Sequence, residues 1–505
     1  MSFSMSVLLV CIFLLSLLLL MKMKKDIKKQ NKQLPPGPPK LPIIGNLHQL
    51  GALPHSSLWN LRKKYGPVIF LQLGGVPTVI ISSAKTASEV LKVHDLDCCS
   101  RPLLAGTGRL SYNYIDIAFA PYGNYWREMR KICVLELFST KRVQSFGLIR
   151  EQEVASLINS ISQSSLSAIH VDLSEKLLSL AANIICRTAF GKRFQENEFD
   201  EGKFQEVVHE AMAMLGSFSA SDFFPYVGWI IDRLTGLHSR LEKSFHELDG
   251  FYQQVIDQHL KTKQEKEEDI IDLLLKLEKN QTKIDGAPIT QDHIKAILMN
   301  VFLGGVDTGV ITMIWAMAEL VRNPRVMKKA QEEIRTYIGK KGKVNEEDIE
   351  ELKYLKMVVK EALRLHPPSV LLIPRETLSH IKIDGYDIYP KTRIQVNVWG
   401  IGRDPDIWKS PEEFVPERFE DSSIDFKGPH DELLAFGAGK RGCPAMYMGL
   451  IMVELALANL LYCFDWKLPN GMKEEDVNMD EAAGLTVYKK LPLNLVPVKY
   501  KIENE

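Results

Sequence analysis

One apolar stretch constrains the fold of this chain more than any other. Residues 296–318 read AILMNVFLGGVDTGVITMIWAMA, which is long enough to cross a bilayer and contains Asp307 as its one charge. A carboxylate near the middle of such a span costs about 3 kcal/mol in a membrane. Further polar side chains accompany it, namely Asn300, Thr308 and Thr312. Basic residues flank both ends, so neither orientation is favoured, and we predict a buried central helix about 45 Å long.

Boundary signals and a second apolar segment define the fold class. Thr290 or Asp292 can cap the central helix, and Asn323-Pro324 stops it. The segment 445–464 is apolar almost all round and is also predicted to be a buried helix. Two β-branched runs around Gly74-Gly75 predict a hairpin. We therefore predict a mainly α fold with a small β region.

The first 46 residues differ in composition from the remainder. Residues 5–21 are apolar apart from two serines, and KMKKDIKKQNK follows. No basic residue precedes the run, and lysines stand where a cleavage site would be, so a membrane anchor fits better than a cleaved signal peptide. By the positive-inside rule the N-terminus faces the lumen and the rest faces the cytosol. We predict an anchor at 1–23, a basic and proline-rich hinge at 24–46, and one large domain at 47–505.

Charge and cysteine content exclude several functional classes. Lys and Arg number 63, as do Asp and Glu, so nothing indicates nucleic-acid binding. The 7 cysteines are odd in number and thinly spread, which indicates a reducing compartment rather than a disulfide framework. No Cys/His set has the spacing of a zinc site.

The loop FGAGKRGCPA, residues 436–445, allows two interpretations. Its glycines form a G-x-G-x-x-G, but no strand precedes them and too few residues follow for a dinucleotide-binding domain. Alternatively, Pro444 opens the second apolar helix and Cys443 stands at its N-cap, where exposed N–H groups and the helix dipole stabilise a thiolate. Arg441 would then pair with an anionic ligand. An ordinary buried cysteine before a helix remains the alternative.

Three further groups of residues carry candidate chemistry. Glu361 and Arg364 lie three positions apart on one predicted helical face, and Arg418 of PERF could join the same carboxylate. Trp126 and Arg130 lie one helical turn apart and could donate to a carboxylate. In the central helix, Gly304-Gly305 precedes Asp307-Thr308. Each glycine makes the helix about 1 kcal/mol less stable than an alanine would. That arrangement favours a gap for a small ligand beside a proton relay, or else a packing notch.

Taken in order, these motifs resemble one family, the cytochromes P-450, which are haem-thiolate monooxygenases, and within it the plant microsomal A-type. The motifs are WREMRK, GGVDT, EALR, PERF, FGAGKRGCPA and the late GLTVYKKLPLNLVP, together with the anchor and the proline hinge. The resemblance extends over essentially the whole chain. It implies the P-450 fold for 47–505, as a haem-binding monooxygenase domain.

The resemblance implies a role for each motif residue. Cys443 would be the proximal iron ligand, and Phe436 would cover its sulfur. Haem propionates would be held by Arg441, Trp126, Arg130 and Arg375. Glu361, Arg364 and Arg418 would form a structural triad, and Asp307 with Thr308 would guide protons. Two positions depart from the pattern: Ala445 replaces a glycine, and Gly309 replaces a second hydroxyl, which leaves details of the proton relay open.

The implied reaction is R–H + O₂ + two electrons + two protons giving R–OH + H₂O. It implies haem b (iron protoporphyrin IX), with O₂ and NADPH as co-substrates, and electrons from a separate NADPH–cytochrome reductase, since no flavin domain is present. Arg127, Lys131 and Lys440 are candidates for its docking patch, although a solvated surface explains each equally well. The protein would be a monomer on the endoplasmic reticulum membrane, single-pass, with its catalytic domain in the cytosol.

The substrate implied is a small apolar plant specialised metabolite, such as a terpenoid, alkaloid or phenylpropanoid. By family position the pocket residues would be Leu103, Leu104, Leu110, Ile115, Asn300, Leu303, Gly304, Val370, Leu371, Leu372, Leu485 and Thr486. Two alternatives remain: a haem-thiolate isomerase or dehydratase that does not use O₂, disfavoured by the presence of Thr308, and, remotely, an NAD(P)-dependent dehydrogenase using the glycine loop.

Overall fold

The computed structural model describes residues 33–165, 170–193, 201–261, 269–428, 430–469 and 471–501. The predicted anchor and most of the basic part of the hinge lie outside the described residues.

Helices are the main secondary structure of the described chain. They are α1 Pro54–Tyr65, α2 Ala84–Ser88, α3 Asp95–Cys98, α4 Ala105–Leu110, α5 Asn124–Ile132, α6 Thr140–Ser145, α7 Gly147–Ser165, α8 Leu173–Phe190, α9 Glu201–Leu215, α10 Gly228–Leu234, α11 Leu237–Lys261, α12 Ile270–Lys279, α13 Gln291–Arg322, α14 Pro324–Ile338, α15 Lys353–Leu365, α16 Val398–Ile401 and α17 Met446–Cys463. Short 3₁₀ turns include Pro416–Phe419 and Gly439–Arg441.

Short strands make up small sheets. They are β1 Val68–Leu73, β2 Val76–Ile81, β3 Val171–Asp172, β4 Lys283–Ile284, β5 Ala287–Pro288, β6 Arg375–Glu376, β7 Ile381–Ile383, β8 Tyr386–Ile388, β9 Arg393–Val396, β10 Phe464–Lys467, β11 Glu481–Ala482, β12 Tyr488–Lys489 and β13 Asn494–Lys499. The largest sheet has the order β1-β2-β9-β6, with β2 and β9 parallel. The mainly α fold with a small β region is confirmed.

The hairpin predicted around Gly74-Gly75 is confirmed. Strands β1 and β2 pair antiparallel, with Leu73 opposite Val76, so the two glycines form the turn. Gly74 has φ +57°, and a Cβ there would lie 2.5 Å from the carbonyl oxygen of Phe223. Glycine is therefore required both by the backbone conformation and by the close approach of the 217–228 segment.

Helix α13 is the predicted central helix. Its N-cap is Thr290, one of the two predicted, whose N–H donates to Nδ1 of His293 at 3.2 Å. The helix ends before Asn323, and Pro324 opens α14. Its 32 residues pack against α8 and α17 through the main hydrophobic core. Helices α13 and α17 are long and apolar enough to cross a bilayer, but both are mostly buried inside the domain.

The proline-rich part of the hinge packs against the domain. The N–H of Phe70 in β1 donates to the Pro36 carbonyl at 2.9 Å, and Gly45 bridges to Leu73. The Asn46 side chain accepts from the Gln72 N–H at 2.8 Å. The segment is extended, as proline density requires, but its described part is fixed along the edge of β1.

Candidate active site

A cavity of about 310 Å³ lies between α13 and the loop that precedes α17. One wall is formed by α13, through Gly304, Gly305, Thr308 and Thr312. The opposite wall is formed by Phe436, Gly437, Arg441 and Cys443 of the glycine-rich loop. The sides are closed by Ile117, Ala118, Pro368, Ser369, Leu372 and Ile373. The surfaces are largely apolar, and the polar groups are concentrated on the loop side.

The loop folds so that the Cys443 thiol faces the cavity. The Cys443 N–H donates to the Phe436 carbonyl at 2.9 Å, and the Gly442 N–H donates to that of Gly439 at 3.0 Å. Gly439 has φ +69°, and a Cβ on it would lie 2.0 Å from the Leu91 carbonyl oxygen. The backbone packing therefore leaves no room for another residue at position 439.

The predicted N-cap position of Cys443 is wrong by two residues. Helix α17 begins at Met446, and its N-cap is Ala445. Pro444 and Ala445 form a turn ahead of the helix, so the thiol lies just before the helix terminus rather than on it. The Ala445 N–H still hydrogen-bonds the sulfur and, together with the charge of Arg130, opposes the rise in the pKa of the Cys443 thiol that burial causes.

Four arginine side chains surround the loop side of the cavity: Arg101, Arg130, Arg375 and Arg441. Three of them are buried, and most of their donors point to backbone carbonyls. Arg441 donates to Cys99 at 2.8 Å and to Ala120 at 2.6 Å, and Arg130 donates to Gly442. Burial and the neighbouring arginines lower the pKa of Arg441 to about 9 and that of Arg101 well below its usual value.

Two buried carboxylates lie among these arginines, and sequence reasoning missed both. Asp95 accepts from Arg375 at 2.7 Å and from the Lys440 N–H at 2.8 Å, so it joins Arg375 to the cysteine loop. Asp116 accepts from Asn300 at 2.9 Å, and burial raises its pKa to about 6. Three buried arginines and the partly buried Arg130, against two acids, leave an excess of positive charge, which favours an anionic ligand.

Two aromatic side chains, Trp126 and Phe436, support the cysteine loop in different ways. The Trp126 indole N–H donates to the Ile117 carbonyl at 2.9 Å, and its ring lies 3.9 Å from the Arg441 guanidinium carbon. This tryptophan therefore supports Arg441 by cation–π stacking. Phe436 lines the cavity and packs edge-on against Phe426, with ring centroids 5.0 Å apart.

The glycines of α13 serve different purposes. A Cβ on Gly304 would meet nothing within 4 Å, so this glycine opens space at the cavity. A Cβ on Gly305 would lie 2.7 Å from Ile185 of α8, and one on Gly309 would lie 2.2 Å from Met452 of α17. The gap and the packing notch therefore both exist, at neighbouring positions. Met452 occupies the space that a second hydroxyl at 309 would need.

Asp307 and Thr308 point in different directions. Thr308 lines the cavity, and its hydroxyl donates to the Gly304 carbonyl at 2.7 Å. The Asp307 carboxylate instead accepts from the Thr486 hydroxyl at 2.5 Å. Burial raises the pKa of Asp307, while Thr486 and the charge of His209 act in the opposite direction.

The structure brings Glu361, Arg364 and Arg418 together, away from the cavity. Glu361 and Arg364 form a bidentate pair at 2.7 and 2.8 Å, and both side chains are completely buried. Arg418 donates to the same carboxylate at 2.9 Å, as does the Val415 N–H at 2.8 Å. Arg364 also donates to the Pro411 and Glu413 carbonyls. The cluster therefore joins α15 to the chain around the Pro416–Phe419 turn.

The cavity includes three of the residues predicted for the substrate pocket, which are Asn300, Gly304 and Leu372. The others lie elsewhere. Leu103 is at the surface, and Leu110 and Leu303 are in the main core. Leu371 packs against a small apolar cluster formed by α1, β1 and β2. Val370 is buried, and its carbonyl accepts from the backbone N–H of Trp399. The Leu104 and Ile115 carbonyls accept from tyrosine hydroxyls. Leu485 lies against Gly216, and Thr486 binds Asp307.

Comparison with known proteins agrees with this architecture. The family model for cytochrome P450 matches residues 35–495. Cytochrome P450 71B10 and cytochrome P450 71B37, both of Arabidopsis thaliana, are 58% and 57% identical to the chain, over 97% and 96% of its length and 98% and 97% of theirs. A zebrafish cytochrome P450 structure with abiraterone superposes with a TM-score of 0.75, at 25% identity, covering 89% of this chain and 100% of that one.

The fold and these matches define a haem-containing monooxygenase, an oxidoreductase of the P450 class. The chain belongs to the cytochrome P450 family, and its high-identity relatives place it among the plant A-type members. The alternative of a dehydrogenase that uses the glycine loop is therefore rejected. In agreement, the last described strand before that loop, β9, ends at Val396.

Proposed function

We propose that the protein is a membrane-attached haem-thiolate monooxygenase that inserts one oxygen atom of O₂ into a small apolar plant metabolite. A separate reductase would supply electrons from NADPH. One observation carries the proposal: a single cavity brings the Cys443 thiol opposite Gly304 and Thr308, with arginines on the thiol side.

The residues of this cavity fit a haem group. Haem needs one soft axial ligand, an apolar slot and partners for two anionic propionates. Cys443 provides the thiol, Phe436 and α13 provide apolar walls, and the excess of buried arginine charge fits the propionates. Arg441 and Arg130 would hold the carboxylates, with Trp126 stacked beneath Arg441. When bound, the haem supplies the redox and O₂ chemistry, and its thiolate ligand favours O–O cleavage.

The remaining steps belong to side chains of this chain. The Thr308 hydroxyl lies at the cavity surface, where it can hold a proton at Oγ next to a bound substrate. Asp307 stands one residue earlier as the acid that can restore that proton. The apolar lining, with Ile117, Ile184 and Leu372, orients an apolar substrate and excludes water. Because Thr308 is retained, oxygen insertion is favoured over rearrangement without O₂.

An exposed apolar surface supports attachment to the endoplasmic reticulum membrane. Tyr226 is 92% exposed and Leu234 82% exposed, and the neighbouring Val227, Trp229, Ile230 and Ile231 are exposed as well. Exposed Ile43 lies at the end of the proline segment. The turn between β1 and β2 connects this segment to the patch, because the Gly74 N–H donates to the Ile44 carbonyl and the Gly75 N–H donates to the Phe223 carbonyl. The patch therefore lies near the end of the proline segment, where both present exposed apolar side chains, and a patch of this kind is typical of a membrane-contacting face.

The carbon monoxide difference spectrum tests the haem-thiolate assignment. The purified, reduced protein should show the thiolate–haem band, and Cys443→Ala should lose it. Cys463→Ala is the matched control, because Cys463 is partly buried at the far end of α17 and should keep the band. A normal band in Cys443→Ala would eliminate Cys443 as the ligand.

Co-expression with a plant NADPH–cytochrome reductase tests the reaction class. Candidate terpenoids, alkaloids and phenylpropanoids would be supplied, and products identified by mass spectrometry. Monooxygenation predicts a product heavier by one oxygen atom, labelled from ¹⁸O₂ and dependent on NADPH. A product formed without O₂ or NADPH would establish rearrangement chemistry instead.

A further inference from the structure

The acid next to the proton-bearing threonine is turned away from the cavity. Successive residues of an α-helix point about 100° apart, so Asp307 and Thr308 cannot face the same way. Gly304, Gly305, Thr308 and Thr312 face the cavity. In the part of the chain that the structure describes, the Thr486 hydroxyl is the one group that hydrogen-bonds the Asp307 carboxylate.

Thr486 lies on a segment that is fixed at several points. It connects β11 with β12, and the next residue, Val487, donates its N–H to the Pro368 carbonyl at 2.8 Å and accepts from the Trp315 indole at 3.4 Å. On the other side, Leu485 contacts the end of α9, where a Cβ on Gly216 would lie 2.5 Å from the Leu485 nitrogen. Thr486 therefore connects the segment between β11 and β12 to Asp307 of α13.

We propose that Thr486 is a positioning residue for oxygen activation, whose hydroxyl holds the Asp307 carboxylate against the 483–487 segment and away from the cavity. Proton supply to Thr308 is then coupled to the position of the segment that contacts the end of α9. This inference rests on the proposed monooxygenase function and deepens it by assigning a control point for its proton donor.

The hydrogen bond from Thr486 can be measured through the protonation of Asp307, so the ionisable groups around that carboxylate matter. His209 of α9 is the ionisable side chain that acts on it, and the Tyr488 hydroxyl lies 3.4 Å from His209 Nε2. A hydrogen bond to a charged acceptor is worth about 1.5–3 kcal/mol, so removing the Thr486 hydroxyl should raise the protonation midpoint of Asp307 by about one to two pH units.

Infrared pH titration of the haem-bound protein measures this midpoint directly. Asp307→Asn identifies the band by its disappearance. Thr486→Val should titrate about one to two pH units above wild type, and Thr486→Ser should restore the wild-type midpoint. Thr188→Val is the matched control, because it removes a buried threonine hydroxyl that has no hydrogen-bond partner among the described residues. If Thr486→Val does not fold, Thr486→Ala replaces it in every measurement.

Peroxide formation without added substrate gives a second measurement. With reductase and NADPH, Thr486→Val should release hydrogen peroxide severalfold faster than wild type, because the freed acid delivers protons before a substrate is bound. The double variant with Asp307→Asn should behave like Asp307→Asn alone.

The two proposals fail in different ways. A wild-type protein without the thiolate–carbon monoxide band would overturn the proposed function. A normal band together with an unchanged Asp307 midpoint in Thr486→Val would overturn only the role of Thr486. Equal peroxide rates in Thr486→Val and wild type would likewise reject that role while leaving the monooxygenase in place.

Discussion

At the residue scale, two glycines of α13 have different structural roles. Gly304 borders open cavity space, whereas Gly305 abuts Ile185, which is β-branched and 2% exposed. Helix propensity favours alanine over glycine at both positions by about 1 kcal/mol. Helix propensity therefore does not explain either glycine, and the space around each position does.

Alanine substitutions should separate the two glycines. Gly304→Ala should stabilise the fold by up to about 1 kcal/mol, because nothing opposes its Cβ, and should weaken binding of an apolar azole in the cavity. Gly305→Ala should cost about 1–3 kcal/mol, because its Cβ would overlap the Ile185 side chain, whose Cγ1 is held by the restricted χ1 of a β-branched residue. Denaturant unfolding and azole titration measure both quantities. Equal stability changes in the two variants would contradict the assigned packing.

Thr308→Ala tests the proton-bearing hydroxyl. The thiolate spectrum and substrate binding should survive, since the change removes only a hydroxyl and a methyl group at the cavity surface. Product per NADPH should fall and hydrogen peroxide should rise, because proton delivery becomes less ordered. Met452 fills the space beside Gly309, so position 309 offers no substitute hydroxyl, and the loss should be pronounced. Unchanged coupling would remove Thr308 from the relay.

Residue type and spacing revealed the candidate site only in part. Cys443, Arg441 and Thr308 lie at the cavity as predicted from their motifs. Helix geometry turns Asp307 about 100° away from Thr308, but its hydrogen-bond partner Thr486 could not be predicted, since it lies 179 positions away in the sequence. Arg101 carries no local signal either, although it is buried and donates to Ile373 at 2.6 Å.

At the element scale, the cluster around Glu361 fixes α15 to the chain that leads to the cysteine loop. Glu361 accepts four hydrogen bonds, two from Arg364, one from Arg418 and one from the Val415 N–H. Because the carboxylate and Arg364 are completely buried, removing one partner leaves uncompensated charge in a low-dielectric environment.

Glu361→Ala should therefore cost about 3–5 kcal/mol and give poorly folded protein with little haem. Glu210→Ala is the matched control, since Glu210 pairs with Arg240, whose side chain is 58% exposed, and exposed pairs contribute about 0–1 kcal/mol. Soluble yield and haem content per polypeptide measure the difference. Wild-type yield and haem content in Glu361→Ala would show that the cluster is dispensable.

Element boundaries were predictable where local chemistry sets them. Thr290 and Pro324 bound α13 because capping groups and a missing N–H act within one turn. The start of α17 was misplaced because Pro444 enters a turn instead, in a loop that Asp95 fixes from outside through the Lys440 N–H. Such long-range contacts leave no periodic pattern in the sequence.

At the scale of the whole molecule, the neutral overall charge conceals a local imbalance. Lys and Arg balance Asp and Glu at 63 each. Around the cavity, however, arginines outnumber acids, and burial lowers the pKa of Arg101 and Arg441. An anionic cofactor that neutralises this excess stabilises the folded chain by mass action, so haem binding and folding should be coupled.

The join between the N-terminal segment and the domain can be located by two truncations. Removing residues 1–32 should leave a haem-binding domain that needs less detergent, because the described contacts with β1 begin later, at Pro36. Removing residues 1–46 should also delete the partners of Phe70, Gln72 and Gly74 along β1. At about 0.5–1.5 kcal/mol for each lost hydrogen bond, the longer truncation should be less stable by about 2–4 kcal/mol. Denaturant midpoints of the two haem-bound proteins measure the difference. Equal midpoints would show that the proline segment is only a tether, and loss of haem from the shorter truncation would place the domain boundary before residue 33.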